Sequence, residues 1–190
     1  MVSVISGSTK AMFSRRTGTL AKLEMGGRTI LEDCGESVCG PRLTCVRAFT
    51  DNDFWLRGDE ENYKGWPTKL TAYGFYNSGL SQLRYHAPTV KVLDGGRTIE
   101  TCVTVNGSKS AGFRHRAVWT FLADGSIEVE NETEPFGEMP DQLPRFGLSC
   151  RLDGALTNMT WYGRGPEENY IDRCTGSFVG RYSSTVTAQY

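Results

Sequence analysis

Hydrophobic and polar residues alternate along much of the chain, in short segments separated by glycine-containing turns. Ile99, Thr101 and Val103 recur at every second position and therefore share one face of an extended strand. Asp124-Gly125 separates two such segments, and this dipeptide is a strong local signal for a β-hairpin. The pattern predicts strands at residues 11–14, 20–25, 28–31, 43–48, 81–92, 98–105, 113–122, 126–133, 146–152 and 157–162.

The turns between these segments predict how the strands pair. Gly18 in the segment 15–18, and Gly26 and Gly27, can adopt the positive φ angles of tight turns. Tight turns at these places favour antiparallel pairing of the strands that flank them. Residues 146–152 and 157–162 are expected to pair in the same way. Evenly spaced strands with glycine turns are typical of an antiparallel β-sandwich, so the predicted fold class is all-β.

Two stretches do not follow the strand pattern. Residues 50–67 are rich in Asp, Glu, Asn, Gly and Trp, and a loop of this length in a compact domain is usually functional or disordered. Residues 68–79 fit either a short helix or an irregular connection. No linker composition divides the chain, so residues 1–190 are predicted to form a single domain.

Charge and hydropathy exclude several classes of partner. A net charge of −1 gives no basic surface for nucleic acid or for an anionic membrane. The chain contains no apolar run of about 18 residues, and its first ten residues lack the pattern of a signal peptide. We expect a soluble chain without nucleic-acid or membrane partners, and its compartment, cytoplasmic or periplasmic, stays open.

The residues that commonly bind metals are not arranged as a metal site. His86 and His115 lie far apart in the sequence, and no Cys-x-x-Cys pair is present, so zinc is not expected. The acidic run that begins at Asp51 fails the spacing of a calcium loop, because Leu56 stands where glycine is needed. The six cysteines are compatible with free thiols or, in an oxidising compartment, with disulfides.

The densest run of hydrogen-bonding side chains is residues 161–173, which read Trp-Tyr-Gly-Arg-Gly-Pro-Glu-Glu-Asn-Tyr-Ile-Asp-Arg. Gly165 can adopt a positive φ angle and Pro166 fixes its own, so a strand is expected to end and turn there. A run of polar side chains after a tight turn usually holds a loop or lines a surface.

Glu167 and Glu168 lie next to each other in this run and invite comparison with glycosidase carboxylates. A retaining glycosidase needs two carboxyl groups about 5 Å apart. Adjacent residues in an extended segment point to opposite sides, so these two do not converge on one substrate. We expect one of them to be solvated and the other to pair with Arg164 or Arg173.

Three motifs resemble the C-terminal, fifth or small-chain, domain of family 2 glycoside hydrolases of the β-galactosidase type. The run from Tyr162 to Arg173, continued by residues 176–182, resembles that domain's Gly-x-Gly-Pro-x-Glu-Asn-Tyr-x-Asp-Arg motif. Residues 143–148 and 47–53 resemble two further motifs, and all three occur in family order. The chain departs from the pattern at Phe49 and Ile171, where family members more often have proline.

The resemblance implies a fold and a division of labour. The family domain is a large antiparallel β-sandwich, or super-sandwich, of the galactose-mutarotase-like kind, and this chain is expected to be an incomplete copy of it. Both catalytic Glu residues of the family lie in a separate barrel domain, so no catalytic or metal-binding residue is expected here. The parent family often uses Mg or Na in other domains, and no cofactor is expected in this chain.

The resemblance also implies partners and site residues. The expected partners are the catalytic barrel and the remaining domains, a terminal β-D-galactoside at the domain interface, and further copies in a homo-oligomer. The expected role is to wall the active-site mouth and to assist carbohydrate binding. The implied substrate-proximal loop comprises Asp51, Asn52, Asp53, Phe54 and Trp55, and the implied structural motif comprises Gly163, Gly165, Pro166, Glu168, Asn169, Tyr170, Asp172 and Arg173.

Aromatic residues in the 50–67 segment leave two roles open. Trp55, Tyr63 and Trp66 can stack on the apolar face of a sugar ring, or they can pack the loop onto the core.

Two other functions use a related fold. A stand-alone carbohydrate-binding module would need only a binding face, whereas an aldose 1-epimerase would need a His acid and a Glu base on one face.

Overall fold

The computed structural model describes residues 1–31, 40–48, 72–140, 142–167, 169 and 171–189, without the side chains of residues 72–74 and 171–173. These residues form two compact units, Met1–Arg151 and Leu152–Tyr190. Antiparallel strands dominate the described residues, which confirms the predicted all-β, sandwich-like class. That residues 1–190 are one incomplete domain of the galactose-mutarotase-like kind stays a prediction.

The first sheet is a four-stranded meander at the start of the chain. Its strands are β1 (Val2–Ser6), β2 (Thr9–Ser14), β3 (Thr19–Met25) and β4 (Arg28–Leu31), which pair in that order. Gly18 in the β2–β3 turn has φ +66°, and Gly26 and Gly27 between β3 and β4 have φ +56° and +75°. Both glycine turns lie where the sequence predicts them, whereas strand β1 was not predicted.

The second sheet supplies the longest strands among the described residues. Its strands are β6 (Arg84–Leu93), β7 (Thr98–Asn106), β8 (Gly112–Phe121) and β9 (Ile127–Phe136), again paired in chain order. Asp124 holds the β8–β9 turn, because its carboxylate accepts hydrogen bonds from the N–H and hydroxyl of Ser126 at 2.9 and 2.7 Å. These bonds lower the pKa of Asp124, with the hydroxyl contact as the largest cause.

The two four-stranded sheets pack face to face around a shared core. Phe13 of β2 is fully buried, and its ring meets Trp119 and Phe121 of β8 edge-on, at centroid distances of 5.5 and 6.2 Å. This arrangement is the one that aromatic quadrupoles favour. The remaining buried members of the cluster come from both sheets: Val4, Ala11, Leu20, Val90, Ile99 and Ala117.

A second core cluster lies along the far half of the β6–β9 sheet. It contains the buried side chains of β5 (Arg42–Thr44), helix α1 (Ala72–Asn77) and the connections that follow them. Strand β5 pairs with β10 (Gly147–Ser149) in a two-stranded sheet. Helix α1 shows a short helix within the open 68–79 segment, and residues 68–71 lie outside the described residues. The cluster comprises Leu43, Cys45, Phe75, Leu80, Val103, Val105, Ala111 and Phe113.

The Leu152–Tyr190 unit is built on one long hairpin. Strand β11 (Asn158–Gly165) pairs with β12 (Phe178–Thr185), and a 3₁₀ helix at Ile171–Gly176 lies between them. The predicted pairing of residues 146–152 with 157–162 is therefore wrong: β10 pairs with β5, some hundred residues earlier, and β11 pairs with β12. Among the described residues, no helix is long and apolar enough to cross a membrane.

Candidate functional site

A cavity of about 260 Å³ lies within the Met1–Arg151 unit, against the core-facing side of the β6–β9 sheet. The β2–β3 turn and strands β5 and β10 complete its walls. The side chains with chemical functions on its surface include Arg16, Arg42, Tyr85, His115, Trp119 and Asn131.

Gly18 brings the β2–β3 turn close to the sheet at one side of the cavity. A Cβ at this position would lie 2.7 Å from both the Cβ of Pro88 and the Cγ2 of Val103, which is closer than real Cβ contacts allow. Glycine thus satisfies both the positive φ angle and the tight approach. As a result, Arg16 and its neighbour Thr17 line the cavity.

His115 and Asn131 form a polar pair on the sheet wall. Ala117 of β8 lies opposite Asn131 of β9, so His115 is the diagonal neighbour of Asn131 on the same face. The His115 Nε2 atom lies 2.9 Å from Asn131 Oδ1, and the carbonyl oxygen must accept the proton in this contact. Among the described residues, the Asn131 amide NH₂ group has no hydrogen-bond partner and keeps both donors for other use.

Trp119 gives the cavity part of its aromatic wall. Its indole Nε1–H donates to Thr101 Oγ1 at 3.3 Å, and the Thr101 hydroxyl donates in turn to the Ala117 carbonyl at 3.4 Å. The indole is nearly buried and is fixed by this bond and by its contact with Phe13. A rigid aromatic wall of this kind needs no rearrangement to receive a ligand.

Tyr85 and Arg42 form the opposite end of the lining. The Tyr85 hydroxyl donates to the Leu43 carbonyl at 2.8 Å, and the Arg42 guanidinium carbon lies 5.2 Å from the centre of the Tyr85 ring. Burial raises the pKa of Tyr85, and the nearby Arg42 charge only partly opposes this. Tyr85 is therefore a neutral, fixed platform beneath a cation.

The charged network of the same sheet lies on the other face. Glu100 accepts hydrogen bonds from Lys91 Nζ at 2.9 Å and from Arg116 Nε at 2.8 Å, and its Oε2 also lies 2.8 Å from Arg116 Nη2 in the same ion pair. These contacts, with Lys91 first, lower the pKa of Glu100. Glu100 alternates with Thr101 along β7 and so points away from the cavity, which indicates a structural role for the network.

The lining favours ligand binding over hydrolysis. Among the described residues that surround the cavity there are two arginines and one histidine, but no Asp or Glu. A glycosidase active site requires two carboxyl groups that face each other across the scissile bond. The described lining supplies donors and an aromatic wall, without that pair.

Comparison with known proteins places the chain in a family. The sequence profile described as "Beta galactosidase small chain" matches residues 5–190, which is nearly the whole chain. This chain belongs to that family. The finding confirms the resemblance drawn from the three sequence motifs.

The small chain is similar to parts of several curated bacterial β-galactosidases. It is 29% identical over 187 residues to the enzyme of Vibrio cholerae serotype O1, a match that covers 97% of the chain and 17% of that enzyme. It is 29% identical over 184 residues to the Streptococcus thermophilus enzyme and 28% identical over 180 residues to that of Halalkalibacterium halodurans. These matches cover 92% of the chain in both cases, and 15% and 16% of the two enzymes.

Two of the family motifs contact each other in the structure. Arg47, which begins the 47–53 motif, donates from Nε to the Pro144 carbonyl at 2.7 Å, and Pro144 belongs to the 143–148 motif. Arg47 also donates to the Ala48 carbonyl at 2.9 Å. The arginine thus fixes the start of the loop predicted to approach substrate. The loop residues Asp51, Asn52, Asp53, Phe54 and Trp55, together with Tyr63 and Trp66, lie outside the described residues, so their role stays a prediction.

The glycines of the third motif lie at the end of β11. Gly163 and Gly165 are strand residues, and the Gly165–Pro166 peptide bond is cis. Gly165 does not have a positive φ angle, although as a glycine it could adopt one. Its requirement is space: a Cβ would lie 2.7 Å from Cδ2 of the Tyr182 ring, which packs across the strand from β12.

Arg164 of the same motif binds backbone carbonyls. Its Nη1 donates to the carbonyls of Cys174 and Ser177 at 2.9 and 2.7 Å, which ties the 3₁₀ helix to the strand ends. Glu167 is exposed and does not form the expected ion pair with Arg164. Asn169 is also exposed. Glu168 and Tyr170, and the side chains of Asp172 and Arg173, lie outside the described residues.

The cavity residues were not predicted from the sequence. His115 and Asn131 are 16 positions apart, and only the register of the β8–β9 hairpin brings them together. The usable signal was Asp124-Gly125, which predicts that hairpin and so predicts that residues near 115 and 131 lie on neighbouring strands. Arg42 and Tyr85 are brought together by tertiary structure and carry no local signal.

Proposed function

We propose that this chain acts as a non-catalytic domain of a larger β-galactosidase that hydrolyses terminal β-D-galactosides. The family match over residues 5–190 carries the proposal. Its second support is length, since the chain spans only 15% to 17% of the curated relatives described above. The lining of the described cavity, which offers no pair of carboxylates, agrees with a domain that leaves bond cleavage to another part of the enzyme.

The proposed role within the enzyme is to wall the mouth of the active site, with the loop at residues 51–55 nearest the galactoside. Support comes from the loop's first anchor, because the Arg47 side chain is bonded to Pro144 in a second family motif. A loop with a fixed base and glycines further along, such as Gly58 and Gly65, is suited to closing over a ligand without supplying a catalytic group. The proposed partners are the catalytic barrel, the other domains and further copies of the enzyme.

The test is steady-state kinetics of Trp55→Ala in the full-length enzyme. Loss of one aromatic–sugar stack should weaken binding by about 1 kcal/mol and raise KM several-fold, with kcat little changed. Thermal melting provides the control. If KM is unchanged while the melting temperature falls, Trp55 packs the loop onto the core and this role for the loop is wrong.

A complementary assay addresses the chain alone. The purified 190-residue chain should not hydrolyse a nitrophenyl β-galactoside, because in the proposed enzyme another domain supplies the catalytic carboxylates. Turnover that survives purification and disappears in Glu167→Gln or Glu168→Gln would contradict the proposal.

The two alternative functions receive unequal support. An aldose 1-epimerase requires a carboxylate base beside its histidine, and no described residue that lines the cavity next to His115 is acidic. A stand-alone carbohydrate-binding module needs only a binding face. Mutarotation measured on a fresh α-galactose solution would detect the first, and sugar binding by a chain that acts apart from any hydrolase would favour the second.

A further inference from the structure

The size of the cavity against the β6–β9 sheet suits one small ligand. Its volume of about 260 Å³ lies just below the range of about 300–1,000 Å³ that is usual for small-molecule sites. A single six-membered ring with its substituents fits a space of this order, whereas a chain of several sugars does not. All of the described lining residues belong to the Met1–Arg151 unit.

The polar groups on its walls offer mainly donors. The Asn131 amide presents two N–H groups that no described residue accepts, and the contact with His115 fixes the orientation of that amide. The Tyr85 hydroxyl donates to the Leu43 carbonyl and keeps lone pairs with which to accept from a ligand. Donors held in place near Trp119, another lining residue, match a ring that carries several oxygens.

The charges of the lining select among such rings. Arg42 stacks on Tyr85 and makes no ion pair with any described residue, and Arg16 adds a second guanidinium group to the lining. No described lining residue is acidic, and the Arg42 guanidinium offers a carboxylate in the cavity a positive charge. The planar fork of an arginine binds a carboxylate through two parallel hydrogen bonds.

We propose that this cavity binds a single acidic sugar ring, of the hexuronate class, with its carboxylate on Arg42 and its hydroxyl groups on Asn131 and Tyr85. Trp119 and the apolar residues of β7 face the carbon side of the ring. The proposed site binds its ligand without chemical change.

The test is a titration of the 190-residue chain with galacturonate, with galactose as the neutral matched ligand. Histidine imidazole signals in NMR spectra report on the cavity directly, because the chain has two histidines and only His115 lines it. His86 is exposed on β6 and serves as the internal reference. Galacturonate should shift the His115 signals in a saturable way, leave those of His86 unchanged, and bind about tenfold more tightly than galactose.

Variants then separate the charge from the cavity. Arg42→Gln should weaken galacturonate binding about tenfold, whereas Arg114→Gln, whose side chain pairs with Glu134 on the outer face, should leave it unchanged. Asn131→Ala should weaken both sugars and provides a second variant if Arg42→Gln does not fold. Higher salt should weaken galacturonate more than galactose.

Three outcomes would overturn the proposal. Equal affinity for the two sugars would show that charge does not select the ligand. An unchanged affinity in Arg42→Gln would show that this arginine does not bind the carboxylate. No response of the His115 signals would show that the sugar does not bind in the cavity. Since the readout is binding to the chain itself, each of these results is distinguishable from a failure of the proposed enzymatic role.

Discussion

Replacing Phe13 by Leu tests whether the two four-stranded sheets are held together by one aromatic cluster. Phe13 is fully buried and meets Trp119 and Phe121 edge-on. Each edge-to-face contact is worth about 0.5–1.5 kcal/mol beyond area burial, so losing both should lower the free energy of unfolding by about 1–3 kcal/mol. At about 2–4 °C per kcal/mol for a chain of this size, the melting temperature should fall by roughly 2–12 °C.

The assay is urea denaturation followed by circular dichroism, with Ile5→Ala as the matched control. Ile5 belongs to the same sheet but is 73% exposed, so its truncation should change the free energy of unfolding by no more than about 0.5 kcal/mol. A double-mutant cycle of Phe13→Leu with Phe121→Leu should give a coupling energy of about 0.5–1.5 kcal/mol. A loss no greater than that of Ile5→Ala, with no coupling, would show that the sheets do not share this core.

Three further predictions follow from other parts of the molecule. The pKa of Glu100 is lowered in the folded chain, so its contribution to stability is fully present above its ordinary pKa of about 4.3 and declines as the pH falls below that value. Glu100→Gln should therefore lower the melting temperature more at pH 7 than at pH 3, and an equal effect at both values would contradict this. Gly165→Ala should destabilise the Leu152–Tyr190 unit by about 1–3 kcal/mol, because the new Cβ would clash with the Tyr182 ring. The control Gly163→Ala, whose Cβ would meet only one atom at 3.8 Å, should be milder. Amide hydrogen exchange compares the two variants, and similar protection in both would refute the steric argument. Burial raises the pKa of Cys45 to about 11, so a thiol reagent at pH 8 should label it far more slowly than the exposed Cys150, and equal rates in native buffer would show that Cys45 is accessible.

The strands of the β6–β9 sheet were predictable because their signal is local. A period of two requires only neighbouring residues, and Ile99, Thr101, Val103 and Val105 are all buried on one face of β7, as the alternation indicates. Strand β8 shows the limit of the same rule. Both faces of β8 carry apolar residues, so alternation alone does not show which face is buried. Trp119 lies in the core, whereas the adjacent Val118 is only partly buried.

Pairings between distant segments were not predictable from the sequence. Strand β5 has only three residues and pairs with β10 in a register that begins with Thr44 opposite Gly147. Nothing in either short segment specifies a partner so far away, and the choice depends on the packed core beneath them. Strand β12 was missed because its alternating residues are mostly exposed, so it lacks the hydrophobic period of a half-buried strand.

The position of the candidate site depends on the length of the β8–β9 turn, which the hairpin signal does not define. Asp124-Gly125 marks the turn, but Leu122 bonds to Ser126, so the connection includes Ala123 and has three residues. A change of one residue in loop length would move every side chain of β9 to the other face. The position of Asn131 beside His115 therefore follows from the turn geometry, which the dipeptide alone does not determine.

Strand β9 has one hydrogen-bonded neighbour in the described part of the chain, which leaves its other edge unpaired. On the face that points away from the core, β9 carries a row of alternating glutamates. The row consists of Glu128, Glu130, Glu132 and Glu134, of which the last two contact arginines of β8. A second copy that approached this edge in antiparallel register would bring like charges face to face, and Pro135 would deny it a backbone donor near the strand's end. We therefore expect this edge to disfavour edge-to-edge pairing between copies, and the effect should weaken as salt screens the carboxylates or acid protonates them.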